Sequence, residues 1–258
     1  MMNYSTNKMK ELVSLLERHT PHEGINETGI PEFVTFKESS RHGRCAKVYQ
    51  PGVALLGQGK KVCYIDGHKY DYSAGRYLAL YLPLPMESEV IEASPEKPLL
   101  MAGVKINVAR VANLVLKMSQ VGQMPPLNEQ TESAVIFAEP VHDTLLDPII
   151  RLLRTLDNPL EREILADSIV DEFYFRLICN DRTGSLQQLL EQRGQIQQIS
   201  KAVNHIHHNL DEVVSVDGLA ELVNMSTSSF RKTFREVMHI PPLQYAKAIK
   251  LDRAQLLI

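Results

Sequence analysis

The chain has 258 residues, 44% of them hydrophobic and 23% charged, the composition of an ordinary soluble globular protein with room for two modest domains. No apolar run is long enough to span a bilayer, and the start, M-M-N-Y-S-T-N-K-M-K-E-L, lacks the apolar core of a secretion signal, so the expected compartment is the cytoplasm. Three widely spaced cysteines, Cys45, Cys63 and Cys179, argue against a disulfide framework. The net charge of -3 is uneven: residues 226–258 carry +4 and the remainder -7, an acidic body with a basic end suited to meet an anion.

In chain order, residues 6–19 read as a short amphipathic helix with Met9, Leu12, Val13 and Leu16 on one side. From Phe33 to Asn107 short runs rich in Val, Leu, Ile and Tyr alternate with Gly, Pro and Asp-Gly breaks, which predicts strands in a barrel or sandwich. Asp66-Gly67 suits a tight hairpin turn. Residues 107–120 read as a helix and 133–138 as a further strand. Two helical stripes follow: Leu145, Ile149, Leu152, Leu153 and Leu156, then Ile164, Leu165, Ile169, Phe173 and Leu177, separated at Pro159. Residues 180–185 are polar and read as a linker, and everything after Leu186 is helical in pattern. The fold class is therefore α+β.

The C-terminal segment is the most informative. Ser215 is placed to cap a helix over residues 216–223, Asn224 tolerates a left-handed turn, and Ser226 is placed to cap a second helix. In that helix Phe230, Phe234, Val237 and Met238 fall on one buried face. Ser228, Arg231, Lys232 and Arg235 share another face with no apolar side chain. A short helix, a tight turn and a second helix with a cationic face is the pattern of a helix-turn-helix, whose second helix enters the major groove of double-stranded DNA. Arg231, with Ser228 and Lys232 beside it, is the candidate for base contact; Thr227 and Arg235 are candidates for phosphate. A solvated basic face is the plain alternative.

These residues resemble a family. Leu219-Ala220, Met225-Ser226, Ser228, Phe230, Lys232, Phe234, H-I-P-P-L-Q-Y and K-L-D-R-A-Q-L-L are similar to the AraC/XylS pattern of bacterial transcription regulators. Phe230, Lys232 and Arg235 stand where Leu, Arg and Lys are usual, His239 where Gly is preferred, and Pro241 where Ser is. Gly218 weakens the first helix by ~1 kcal/mol against Ala. The family carries two helix-turn-helix units joined by a long helix. This sequence stops at Ile258 inside that helix, so the resemblance implies that the second unit is absent from it.

The strand-rich region resembles the N-terminal domain of a subgroup of the same regulators, on Y-Q-P-G-V-A-L-L-G-Q-G-K-K-V, Y-D-Y-S-A-G-R-Y-L, Leu84-Pro85 and E-A-S-P-E-K-P. The resemblance implies a cupin-like barrel followed by helices, used for effector sensing and dimerisation. It divides the chain into an N-terminal helix and arm (1–32), a sensing domain (33–138), a helical dimerisation region (139–180), a linker (181–190), and the helix-turn-helix with the start of the connecting helix (191–258).

A barrel can also be an enzyme, but a cupin metal site needs His-x-His and a nearby Glu, and His68 is followed by Lys69 and Tyr70. The G-Q-G-K-K run lacks the spacing of a phosphate loop and precedes a strand. His205, His207 and His208 lie on one helix without a converging fourth ligand and read as a solvated face. Candidate liners of a small-molecule site are Gln58, Cys63, Tyr64, Tyr70 and Lys105, with packing or surface roles as the plain alternative. The expected partners are double-stranded DNA, a second copy of the chain, an unknown small-molecule effector and RNA polymerase, with no membrane, metal or cofactor and no catalytic residue. Two other readings stay open: a cupin-type metal enzyme with a helical appendix, and an interaction module whose basic helix docks an acidic protein.

Overall fold

The computed structural model describes residues 2–65, 68–122, 135–181, 186 and 195–255. In chain order the elements are α1 (Met2–His19), β1 (Gly24–Ile30), β2 (Phe33–Glu38), β3 (His42–Tyr49), β4 (Gly52–Gln58), β5 (Lys60–Ile65), β6 (His68–Ser73), β7 (Arg76–Leu80), β8 (Leu84–Glu92), β9 (Leu99–Lys105), α2 (Val108–Gln120) and β10 (Ile136–Pro140). Helices α3 (Asp143–Thr155), α4 (Pro159–Asn180), α5 (Gln195–His208), α6 (Val216–Leu222), α7 (Thr227–Met238) and α8 (Pro242–Gln255) follow. None of these helices is long and apolar enough to cross a membrane.

All described strand pairs are antiparallel. They form a six-stranded sheet in the order β1-β2-β9-β4-β7-β10 and a four-stranded sheet in the order β3-β8-β5-β6. Pairing among the described strands thus gives two sheets rather than one closed ring. The chain crosses from one sheet to the other at Gly59, between β4 and β5. Its φ is +91° and a Cβ there would lie 2.7 Å from the Glu92 carbonyl oxygen, so glycine at 59 is a backbone requirement of the crossing. The Asp66-Gly67 turn lies outside the described residues; the strands on either side pair from Lys60↔Ser73 to Ile65↔His68. Residues 133 and 134 of the expected last strand also lie outside, and β10 runs on to Pro140.

Two buried clusters organise the molecule. One fills the space between the sheets with Leu56, Cys63, Tyr72, Leu80, Met86 and Met101, and continues into α5–α8 through Val203, Phe230, Phe234 and Tyr245. The other lies where α1, α3 and α4 cover the six-stranded sheet, with Leu12, Leu16, Val53, Leu100, Leu152 and Phe173. Helix α1 sits close to β4 because residue 57 is glycine: a Cβ there would be 2.7 Å from Leu16 Cδ1.

Helix α4 begins where the sequence places it. Pro159 occupies the first turn, and the Asn158 side chain accepts from the N–H groups of Leu160 and Glu161. Its buried face differs from the expected stripe. Ala166, Ile169, Val170, Phe173, Tyr174, Leu177 and Ile178 are buried, whereas Ile164 and Leu165 are 65% and 44% exposed. The helical repeat that carries Ile169, Phe173 and Leu177 inward passes through small Ala166, one position from Leu165, so both larger side chains turn outward. Arg110 ties α2 to α4 through Asp167 at 2.8 Å and Asp171 at 2.9 Å, and reaches Glu32 at 3.5 Å.

Candidate nucleic-acid interface and the sandwich interior

The C-terminal helices are fixed by local chemistry. The Ser215 side chain accepts from the Gly218 N–H at the start of α6, and the Ser226 side chain from the Ser229 N–H at the start of α7. Between them Asn224 adopts φ +54°, the left-handed conformation that Asn tolerates. Helix α7 ends on His239 at φ +57°. That conformation accounts for a glycine preference at this position.

Helix α7 buries Phe230, Phe234, Val237 and Met238 at 1% exposure or less. The rings of Phe230 and Phe234 meet edge to face, and Phe234 meets Tyr245 of α8 in the same way. Ser228, Arg231, Lys232 and Arg235 are all exposed. Lys232 makes a 3.8 Å ion pair with Glu236 one turn on. Among the described residues Arg231 makes no ion pair, and its guanidinium can offer a two-pronged donor outward. Thr227 differs from its neighbours: its hydroxyl donates to Asp217 Oδ1 at 2.7 Å and joins α7 to α6.

The five candidate liners of a small-molecule site separate in space. Cys63 and Tyr70 face each other across β5 and β6. Cys63 is buried in the core between the sheets, and Tyr70 packs on that core. Burial pushes the Cys63 thiol up, partly opposed by the Lys61 charge, and burial also pushes up the Tyr70 phenol. Tyr64 belongs to the opposite face of β5. Its hydroxyl donates to Glu89 at 3.0 Å and Arg44 covers its ring at 3.8 Å. Gln58 donates to the Pro98 carbonyl at 2.9 Å. Lys105 is exposed on the other sheet, paired with Glu27 at 3.2 Å. Gln58, Tyr64 and Lys105 are therefore not gathered with Cys63 and Tyr70.

Three polar residues that were not singled out do come together near Cys63. Lys61 Nζ donates to the Tyr49 hydroxyl at 3.0 Å, and that hydroxyl lies 2.6 Å from Ser88 Oγ. The period-2 alternation of a strand carries the signal, since Lys61 shares a face with Cys63. Among the described residues no group of three or more His, Cys, Asp or Glu is placed to hold a metal. His207 is instead a structural contact, 2.8 Å from the Tyr245 hydroxyl.

Two contacts carry the C-terminal helices onto the sheets. The Tyr245 hydroxyl donates to the Pro83 carbonyl at 3.0 Å, and the Asp252 carboxylate accepts from the Val48 N–H at 3.1 Å. The His68 and His239 rings also approach, with centroids 6.1 Å apart.

A sheet module followed by capped helices, one with an exposed cationic face, fits a regulator of transcription, and the sequence comparison fixes that class. Residues 29–185 match the family of the AraC-type transcriptional regulator N-terminus, and the chain belongs to that family. No curated protein matches it. Among solved structures it is similar to an apo variant of ToxT from Vibrio cholerae, at 13% identity and a TM-score of 0.41, over 88% of this chain and 100% of that one. It is also similar to the AraC-like transcriptional activator CuxR, at 13% identity and a TM-score of 0.42, over 90% of this chain and 78% of that one.

Proposed function

We propose that this chain is a sequence-specific, DNA-binding transcription regulator with a cupin-like sensing module. Helices α6 and α7 act as a helix-turn-helix, and α7 enters the major groove. The observation that carries this reading is the division of α7 into a fully buried apolar face and an exposed face with Ser228, Arg231, Lys232 and Arg235. Arg231 reads a base edge, with Ser228 and Lys232 beside it, and Arg235 contacts phosphate. Thr227 has a second duty, because its hydroxyl already holds Asp217. The sheet module binds a small effector and passes its state to α8. RNA polymerase is the further partner of this reading, and a cytoplasmic setting goes with DNA as target.

The exposed apolar side chains of α4, Leu160, Ile164 and Leu165, are the surface through which two copies pair. Pairing would place two reading helices on spaced half-sites. The test is selection of duplexes from random DNA by this chain, followed by binding at two salt concentrations. A recurring half-site with salt-dependent binding supports the reading. Binding with no sequence preference, or none, would favour an interaction module that docks an acidic protein.

A further inference from the structure

Helix α7 is cationic on its outer face, but the turn and helix before it are not. Residues 211–221 hold Asp211, Glu212, Asp217 and Glu221 and no lysine or arginine. All four acids are exposed, and among the described residues none makes an ion pair. Asp217 accepts the Thr227 hydroxyl. Lys250 stands close, but its Nζ donates to the main-chain carbonyl of Glu212 at 2.6 Å and not to a carboxylate. Phosphate would be repelled here, so this face does not suit DNA.

The same residues frame an apolar cleft. It lies between the end of α5 and α6 and has a volume of about 420 Å³. Ile206, Val213, Leu219 and Leu222 line it beside Glu212 and Glu221. Val213 is 95% exposed and Leu222 46%. Among the described residues no large hydrophobic side chain is more exposed than Val213. A single exposed apolar side chain is ordinary, but two at one cleft with a charged rim mark a contact surface.

The shape of the cleft narrows its occupant. A small molecule would stay largely wet against a wall that itself stands in solvent, whereas small ligands are mostly buried in their sites. A partner strand finds no sheet edge to join, since the walls are two helices and a turn. A helix satisfies its own backbone and can lay an apolar stripe into the cleft, with basic residues beside the stripe meeting the acids.

We propose that the cleft between α5 and α6 docks an amphipathic helix of a second protein, its apolar stripe flanked by lysine or arginine. The four acids set the sign of the partner's charge, and Val213 and Leu222 take its stripe. The proposal goes beyond DNA recognition and does not depend on it, because α7 and the cleft use different residues.

The experiment is a titration of the whole chain, without DNA, against three peptides that each carry a tryptophan. The chain has no tryptophan, so peptide emission reports binding. The first peptide is an amphipathic leucine–lysine helix, the second has the same residues scrambled to break the stripe, and the third has glutamate in place of lysine. The first should bind about tenfold more tightly than the second, and the third should not bind. Val213→Ser with Leu222→Gln should weaken the first peptide by about tenfold. Glu212→Gln with Glu221→Gln should weaken it similarly and reduce its salt dependence. All four positions are exposed, so both variants should fold, and Ile25→Thr, at an exposed isoleucine on β1, should leave binding unchanged. Failure of the first peptide to bind, equal binding by the scrambled or glutamate peptide, unaltered affinity in either double variant, or an equal loss in Ile25→Thr would overturn the proposal. Self-association of the chain that Val213→Ser with Leu222→Gln abolishes would give the cleft to a second copy and overturn it too. Because DNA is absent, loss of peptide binding leaves the DNA-reading proposal untouched, and loss of DNA binding leaves this one untouched.

Discussion

The hydroxyl of Tyr245 donates to the carbonyl of Pro83 at 3.0 Å, joining residues 162 apart in the chain. That carbonyl can only accept, so the hydroxyl's one hydrogen goes to it and the His207 Nε2–H is left to donate to the phenol oxygen, 2.8 Å away. Tyr245 is fully buried and burial drives its phenol pKa far up, which keeps it a neutral donor. Tyr245→Phe removes the shared atom and leaves two half-buried groups unmatched. A loss of roughly 1–3 kcal/mol is expected from urea denaturation, with the C-terminal helices becoming more open to limited proteolysis. A stability within experimental error of the natural sequence would show that the relay does not fasten the two parts.

His207 makes stability depend on pH. Burial lowers its pKa from the ordinary 6.5, the neighbouring His208 charge lowers it further, and Asp252 opposes both. The unfolded chain therefore takes up this proton before the folded one does. The contribution is present above the unfolded value and is lost as pH falls through the depressed folded value. The denaturation midpoint should fall between about pH 7 and about pH 5. His207→Gln, which keeps an N–H donor, should flatten that slope. An unchanged slope in the variant would assign the acid sensitivity to other groups.

Arg231 and Arg235 should fail in different ways. Arg231→Ala is expected to relax preference at one base position by about 1–3 kcal/mol of discrimination. Arg235→Ala should weaken all duplexes alike and reduce the slope of log K against log salt by about 1. Competition binding with selected and random duplexes separates the two. Equal losses on both kinds of DNA for Arg231→Ala would remove its base-reading role.

Ile164 tests pairing of two copies. It is 65% exposed, so Ile164→Lys should change monomer stability by only about 0.5 kcal/mol. If α4 faces a second copy, the same change should weaken dimerisation by about tenfold or more in sedimentation equilibrium. A dimer of unaltered affinity would move the interface off this helix.

The helical half of the molecule was the more legible. Serine caps, Asn224 and the i, i+4, i+7 repeat of Phe230, Phe234 and Val237 act within a few residues, and each leaves a local mark. The break at Pro159 is equally local. The orientation of α4 was less legible, because Ile164 and Leu165 look like core until tertiary packing places Ala166 inward. The sandwich interior was least legible. Strand residues such as Tyr64 and Tyr70 are alike in type and six positions apart, but only pairing shows that one packs inward and the other meets Glu89. Lys60 and Lys61 are alike in type and adjacent, but the alternation of β5 puts Lys61 on the Cys63 face and buries it.

The bond between Val48 and Asp252 spans 204 residues. Strand β3 lies at the rim of its sheet, and an unpaired rim offers backbone groups to any passing strand. At about 5–20 residues per second on the ribosome, roughly 10–40 s separate the synthesis of that strand from the arrival of the helix that fastens it. During that interval a nascent chain carries the rim without its C-terminal fastening. Chaperone demand and aggregation during expression should therefore track the supply of the last helix, even in variants whose finished fold is unharmed.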